Sequence, residues 1–460
     1  MPANYVLLGK IVVGTESVYE VSFTSIPQTG YSDLLLKVCG RTTSTGSQRN
    51  ATDIYLRFNS NGANYSSRIL SGNDAVDDPP VVPTNAGSSI VWGAEVTNAD
   101  ATASVFGNAD IYIVNYASAN HKTTVTQSVT ENNTTNKEVR LAAGLWQDTA
   151  AVTSITLGSG YYVQHTTFYL YGIAKYGVTP AIAPYATGGD VITTDGTYWY
   201  HTFKATGTFT PKKAITCNYL VVAGGGGGGY SGGGGGGAGG LRSTVTATGG
   251  GGSLESALSL GTSAYTVTIG AGGAQSSPYG TSGTNGSNSV FATITSTGGG
   301  GGAGYNNFSA IGGSGGGGTA GGVISAPRYA GAAGTTNQGY AGGNGGTTPT
   351  NAGGGGGGAG AVGANANGGS GGAGGGGNGG AGVAVSISGS SVTYAGGGAG
   401  GGGDRGGTGG AGGGGNGGFG VSGVPTGGTA NTGGGGGADW NSISTAGAGG
   451  SGLVIVRYPV

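Results

Sequence analysis

The chain has 460 residues, 115 of them glycine and only 8% charged, and its formal net charge is −1. A near-neutral chain without a basic cluster lacks the electrostatic footprint of nucleic-acid binding, and two cysteines, Cys39 and Cys217, make neither a disulfide framework nor a zinc site. No run of 18 apolar residues and no basic leader with an apolar core is present, which predicts neither membrane insertion nor classical secretion.

Residues 1–175 read as a succession of short strands at 4–13, 17–27, 33–40, 53–59, 62–70, 88–94, 108–116, 122–129, 137–146, 152–158 and 165–174. Turn signals such as SNGANYS (60–66) and NNTTN (132–136) separate them, and no window sustains a helical stripe. This spacing predicts an all-β chain that opens with a jelly-roll-like β-sandwich, long enough to bury a sizeable core. Residues 176–190 carry Pro180, Pro184 and the Gly188–Gly189 pair, which interrupt strand pairing and mark a linker. Residues 191–223 alternate again as hairpins, a small β module that feeds the glycine-rich domain at 224–460.

Ninety-six of the 115 glycines lie after residue 220, in runs such as 224–229, 232–237, 353–358 and 433–437. Glycine offers no side chain for a core or for chemistry, so two readings compete. The runs are either flexible linker or extended polyproline-II-like rods, with about 3.1 Å rise and three residues per turn. Only glycine lets such rods lie close together, because any Cβ would force neighbouring backbones apart. Ordering costs about 1–2 kcal/mol per residue, and each backbone hydrogen bond returns about 0.5–1.5 kcal/mol. The balance is close, so an array needs anchors. Apolar, β-branched segments supply them at 218–223, 243–248, 264–270, 289–295, 383–388 and 452–459. The expected fold of this half is a polyglycine-II and β sandwich. An ice-binding or purely structural array would show a strict three-residue period, which the irregular runs do not display.

The signature YHTFKATGTFT (200–210), CNYLVVAGGGGGG (217–229), the repeated glycine runs and the closing GGSGLVIVRYP (449–459) together resemble the glycine-rich domain that recurs in bacteriophage tail-fibre and other virion proteins. More distantly, the alternation of glycine runs and variable segments looks like the tip adhesins of T-even-type long tail fibres. Their fold is a polyglycine-II sandwich that displays receptor-binding loops. TDIYLRFNSNGANYSSRIL (52–70) and TTFYLYGIAKY (166–176) are similar to strand motifs of uncharacterised phage virion proteins. The tip adhesins carry a different N-terminal attachment domain, so the mode of attachment does not carry over.

On a rod scaffold, the segments 274–287, 305–311, 323–341, 347–352, 404–405, 419–432 and 438–446 become loops held on a stiff frame. They contain Tyr279, Tyr305, Asn306, Asn307, Phe308, Arg328, Tyr329, Tyr340, Phe419, Asp439 and Trp440. Aromatic faces beside amides and carboxylates suit saccharides, whose apolar ring faces stack while their hydroxyls need fixed partners. The competing reading is that these aromatics cap the array and bury themselves.

Asp74, Asp77 and Asp78 offer oxygens to a hard cation such as calcium but lack a regular ligand spacing and read rather as a solvated turn; His121, His165 and His201 are isolated. GxGxxG matches follow from composition alone, since no helix follows them. Glycan hydrolysis would need two facing carboxylates, and Glu255, Asp404 and Asp439 each sit among small residues without an evident partner. The expectation is therefore no catalytic, metal or cofactor site. The resemblance implies a non-enzymatic virion structural protein on the particle exterior. Its N-terminal domain would join other virion proteins, and its glycine-rich loops would contact a host surface glycan or outer-membrane component. A homo-oligomer, expected to be a trimer, follows by analogy. The alternative is a capsid decoration protein or head fibre.

Overall fold

The computed structural model describes residues 5–45, 51–73, 91–131, 137–175, 184–276, 281–320, 330–346, 352–367, 374–420, 423–440 and 445–460. The described residues contain no α-helix, and the chain divides into two compact units. One comprises Met1–Tyr185, Asp190–His201 and Pro459–Val460; the other comprises Ala186–Gly189 and Thr202–Tyr458. Much of the stretch read as a linker, and the Asp74, Asp77 and Asp78 turn, lie outside the described residues.

The first unit contains β1 (Tyr5–Val12), β2 (Val18–Phe23), β3 (Tyr31–Gly40), β4 (Ala51–Phe58), β5 (Tyr65–Asn73), β6 (Val91–Thr97), β7 (Gly107–Ile113), β8 (Lys122–Glu131), β9 (Lys137–Trp146), β10 (Ile155–Tyr162) and β11 (Thr167–Ala174). β12 (Ala186–Thr187) belongs to the second unit, β13 (Val191–Thr194) returns to pair with β1, and β14 (Tyr198–Phe203) follows. One sheet of the first unit runs β13-β1-β11-β3-β7-β8-β9-β5 and the other β2-β10-β4-β6. The interleaved orders β1-β11-β3-β7 and β2-β10-β4-β6 are jelly-roll connectivity, with β5, β8 and β9 as additions that extend one sheet.

Alternation puts Leu34, Leu36 and Val38 of β3, Ile54, Leu56 and Phe58 of β4, and Phe168 and Leu170 of β11 into one buried cluster. Phe58, Tyr65 and Trp146 close its end, with the Tyr65 and Trp146 rings stacked at 6.1 Å. β8 inverts the usual phase. It buries Lys122, Thr124, Thr126, Ser128 and Thr130 and turns Val125 and Val129 outward. β9 does the same with Glu138 and Arg140 inside and Val139 and Leu141 outside.

Burial raises the Tyr65 hydroxyl to about 12 and lifts Tyr116 and Tyr162 further still. In the second unit burial holds the Cys217 thiol at about 12. Each folded value exceeds its unfolded one, so this stability is complete below about pH 9 and is lost as pH climbs towards 12. A tyrosinate absorbance titration followed together with circular dichroism should show a late-ionising set of tyrosines that appears in the same alkaline step as unfolding. Ionisation near pH 10 of every tyrosine, without unfolding, would contradict this burial.

The second unit contains β15 (Gly207–Pro211), β16 (Ile215–Val222), β17 (Leu241–Ser243), β18 (Leu258–Leu260), β19 (Tyr265–Thr268), β20 (Ser289–Phe291), β21 (Ile294–Ser296), β22 (Val383–Val385), β23 (Val392–Tyr394) and β24 (Leu453–Pro459). β16 pairs antiparallel with β24, Tyr219 opposite Val456 and Val222 opposite Leu453. The apolar segments that open and close the glycine-rich stretch are thus neighbours. Leu220, Val222, Leu241, Val385, Leu453 and Ile455 share a buried cluster at this strand end of the unit. The segment at 243–248 is a correction: its strand is the short β17, and Thr246 then turns with φ 65°.

From this plug the glycine runs extend as hydrogen-bonded rods, and the rod 224–229 shows the rule. Its amides at Gly224 and Gly227 donate to Ser287 and Thr284, those at Gly225 and Gly228 to Gly450 and Gly447, and those at Gly226 and Gly229 to Gly237 and Gly234. Its carbonyls accept with the same period: Gly224 and Gly227 from Gly299 and Gly302, Gly225 and Gly228 from Gly273 and Ser276, Gly226 and Gly229 from Gly436 and Asp439. Six neighbouring segments, met at three residues per turn, surround one rod in a polyglycine-II lattice. A Cβ on any residue of Gly224 to Gly229 would lie 2.0–2.2 Å from a neighbouring carbonyl oxygen. Runs of glycine are therefore required wherever a rod is enclosed on all sides.

Peripheral rods obey a looser rule that the sequence reading missed. In the rod 282–288 only Gly283 and Gly286 press on the interior, where a Cβ would meet Gly227 O at 2.0 Å and Gly224 O at 2.1 Å. The positions between them carry polar side chains that replace an absent neighbour. Ser282 Oγ accepts from Gly304 N at 3.1 Å, Asn285 Oδ1 from Gly301 N at 2.9 Å, and Asn288 Oδ1 from Gly298 N at 2.8 Å. Asn344, Asn378 and Asn416 cap Gly331, Thr408 and Gly409 likewise. The three-residue period is thus present in the hydrogen bonding although the glycine runs hide it. Much of the described part of the segments 274–287, 323–341 and 419–432, expected to be loops, is rod for this reason. Asn285→Ala should cost about 1 kcal/mol by leaving Gly301 N–H without its acceptor. Asn285→Asp, which keeps an acceptor at neutral pH, should recover most of that loss in a thermal melt.

Candidate functional site

The rod registers define two ends of the array. At the strand end, Ala223 N meets Gly240 O, Gly240 N meets Thr297 O, and Ala359 N meets Ala395 O. At the opposite end, Gly229 bonds Gly234, Asp439 bonds Gly229, Gly401 bonds Gly233, and Gly402 bonds Gly418. This second end carries the chain reversals at 230–232, 305–309 and 403–405 and the pairing of Phe419 with Gly423. The described residues flanking 277–280, 321–329, 347–351, 368–373 and 441–444 belong to it too.

The first reversal turns on Ser231 and Gly232, with φ 57° and 67°. Gly232 N donates to Trp440 O at 2.7 Å, which ties the segment at Trp440 to it. The second is firmly held. Tyr305 N donates to Tyr230 O at 3.1 Å, Asn307 N donates to Gly304 O at 2.9 Å, and Ser282 Oγ donates to Phe308 O at 3.2 Å. Asn306 takes φ 60° there, a left-handed conformation that asparagine tolerates better than most residues. These bonds leave Tyr305, Asn306, Asn307 and Phe308 exposed, Phe308 at 57%. Phe419 is exposed where its backbone pairs with Gly423, and Trp440 is half-buried.

The structure therefore gathers Tyr305, Asn306, Asn307, Phe308, Phe419 and Trp440 at one end. Two residues depart from expectation. Asp439 is 2% exposed, because it is the last residue of the rod 433–439 and its N–H and C=O bond Gly229 and Gly233. Tyr340 lies at the strand end, where its carbonyl accepts from Gly315 and its neighbour Gln338 bonds Leu241 and Thr297. Tyr279, Arg328 and Tyr329 lie outside the described residues. Exposed Val424, next to the Phe419–Gly423 pairing, extends the apolar character of this end, whereas exposed Ile311 lies along the side of the array, between the Ala310–Gly301 and Gly313–Gly298 bonds. Their only sequence signal is a lone branched aliphatic beside a glycine run.

Charge at the loop end is sparse. Asp404 and Arg405 are adjacent, exposed and opposite in sign. Glu255, read as partnerless, is fully engaged elsewhere: Arg242 Nε donates to its Oε1 at 2.7 Å, Arg242 Nη2 to its Oε2 at 2.8 Å, and Tyr219 Oη to Oε2 at 2.5 Å. Burial, followed by this hydrogen bond to Glu255, drives the Tyr219 hydroxyl far above its ordinary value. Glu255 thus fastens β16 to β17. Among the described residues no cluster of three or more His, Cys, Asp or Glu side chains is placed to hold a metal.

A near-neutral surface of exposed rings, amides and aliphatics on a rigid support can hold an amphipathic, hydroxyl-bearing ligand by stacking and directed hydrogen bonds. A family model described as a glycine-rich domain matches residues 203–459, more than half of the chain. The chain belongs to this glycine-rich domain family. No curated protein matches it.

Proposed function

We propose that this protein is a structural appendage of a bacteriophage virion, of the tail-fibre or tip-adhesin type, exposed on the particle exterior. The β-sandwich joins other virion proteins, the assembled form is a homo-oligomer, and the loop end of the glycine-rich unit contacts a host surface glycan or outer-membrane component. One observation carries the reading: a lattice with almost no side chains gathers Tyr305 to Phe308, Phe419 and Trp440 at a single end, remote from the strands that anchor it. Such a scaffold spends its chain on rigidity and presents its varied residues together, as binding loops generally are.

The test is adhesion of the purified full chain to a panel of Gram-negative cells and to outer-membrane extracts. A Tyr305→Ala, Phe308→Ala double variant should bind at least about tenfold more weakly while keeping its melting temperature, because both side chains are exposed and a buried aromatic anchor is worth about 2 kcal/mol or more. Undiminished binding by the double variant would count against the loop end. Imaging the chain on the whole particle separates a tail position from the capsid decoration or head-fibre alternative.

A further inference from the structure

The outward face of the large sheet in the first unit is unlike an ordinary solvated face. Its registers set side chains in cross-strand rows. One row runs Tyr169, Lys37, Asp110, Gln127 and Leu141 across β11, β3, β7, β8 and β9. The next runs Thr167, Cys39, Asn108, Val129 and Val139 across the same strands. An open groove of about 560 Å³ follows these two rows, within the range of small-molecule sites.

We propose that this groove is a second binding site, distinct from the loop end and independent of the reading given for it, and that it takes a neutral saccharide. At its centre Lys37 Nζ lies 2.6 Å from Asp110 Oδ2, so the groove carries no net charge there but offers fixed donors and acceptors. An anion would meet Asp110 and a cation would meet Lys37, so the pair favours an uncharged, hydroxyl-rich ligand. The Asn108 and Gln127 amides, both exposed, stand beside the pair on adjacent strands and can each donate and accept.

The apolar component comes from Val129 and Val139, directly opposite one another and 50% and 59% exposed, with Tyr169 on the far wall. Sugar C–H faces pack on such surfaces. The inverted phase of β8 and β9 places these valines outside and spends the interior positions on Thr126, Ser128 and Arg140. From β11 to β8 is three strand spacings, about 14 Å, the reach of a short oligosaccharide.

Titration of the full chain with millimolar glucose, galactose, N-acetylglucosamine, lactose and maltose, by saturation-transfer NMR and calorimetry, tests the proposal. At least one sugar should bind. Gln127→Ala and Asn108→Ala should each weaken it about fivefold to tenfold, the value of one or two lost hydrogen bonds, and Val139→Asp should abolish it. The Tyr305→Ala, Phe308→Ala variant should leave this binding unchanged. Failure of all five sugars to bind, survival of the affinity in Gln127→Ala, or its loss in the loop-end variant would each overturn the proposal. A chain that self-associates, and that Val139→Asp turns into a monomer, would overturn it in favour of a protein interface.

Discussion

Gly226→Val should destabilise the glycine-rich unit by about 3 kcal/mol, as severe overpacking does, and lower its melting temperature by about 10 °C. The Cβ built at Gly226 lies 2.2 Å from Gly300 O, and that oxygen already accepts from Gly237 N at 2.8 Å. The obstacle is backbone on every side, so no rotamer change relieves it. Gly226 also donates to Gly237 and accepts from Gly436, so a shift of the rod disturbs two further contacts. Gly261 is the control: the nearest atom to its Cβ is Tyr265 Oη at 3.9 Å, and Gly261→Ala should change stability by less than about 0.5 kcal/mol. Equal melting temperatures for the two variants, in calorimetry of the full chain, would show that the rods do not pack as described.

In the first unit, Arg140→Ala should cost about 3–5 kcal/mol, the usual effect of removing one partner from a buried ion cluster. Arg140 is 4% exposed, with Nη2 at 2.6 Å from Glu95 and 3.3 Å from Glu138, and it also pairs with Asp53. Burial works against its charge, but Glu95 and Asp53 outweigh it and raise the guanidinium above its ordinary value. Without it, Glu95 and Glu138 lose the guanidinium that pairs with them inside the sandwich. Burial without a paired cation favours the neutral form of a carboxyl group. A stabilisation that depends on such protonation is present at low pH and is lost as pH rises. The deficit of Arg140→Ala relative to the parent chain should therefore shrink as pH falls from 7 towards 4. A constant deficit in parallel denaturant titrations would mean that the loss is one of packing alone.

The strands of the first unit were legible because they alternate over windows bounded by strong turns, and the eleven predicted segments overlap β1 to β11. The turn at 60–66 illustrates it: Asn59, Ser60 and Asn64 all take positive φ where asparagine and small residues were read as punctuation. The inverted phase of β8 was not legible, since KTTVTQSVTE reads as a strand on either face. Only the partners across the sandwich decide which face is inside.

In the glycine-rich half, the rods were predicted from the need for backbones without side chains. The role of Ser282, Asn285 and Asn288 was hidden, because a residue that substitutes for a missing neighbour looks like a loop residue until the lattice edge is drawn. Asp439 was misplaced for a related reason: the register with Gly229 and Gly233, and not the end of a glycine run, determines where a rod stops. Tyr340 follows the chain through a reversal at the strand end, and nothing local distinguishes the two ends.

Hydrogen exchange of the full chain, read by mass spectrometry on peptides covering 224–240, 353–360 and 433–439, distinguishes an ordered lattice of glycine runs from a flexible tether. The lattice predicts protection of these peptides, apart from the reversal at 230–232, by at least about a thousandfold over an unstructured chain, since the rod amides are bonded inside the array and open only with it. Exchange of these peptides at the unstructured rate, while those from β3 and β11 remain protected, would show the glycine runs to be a flexible tether.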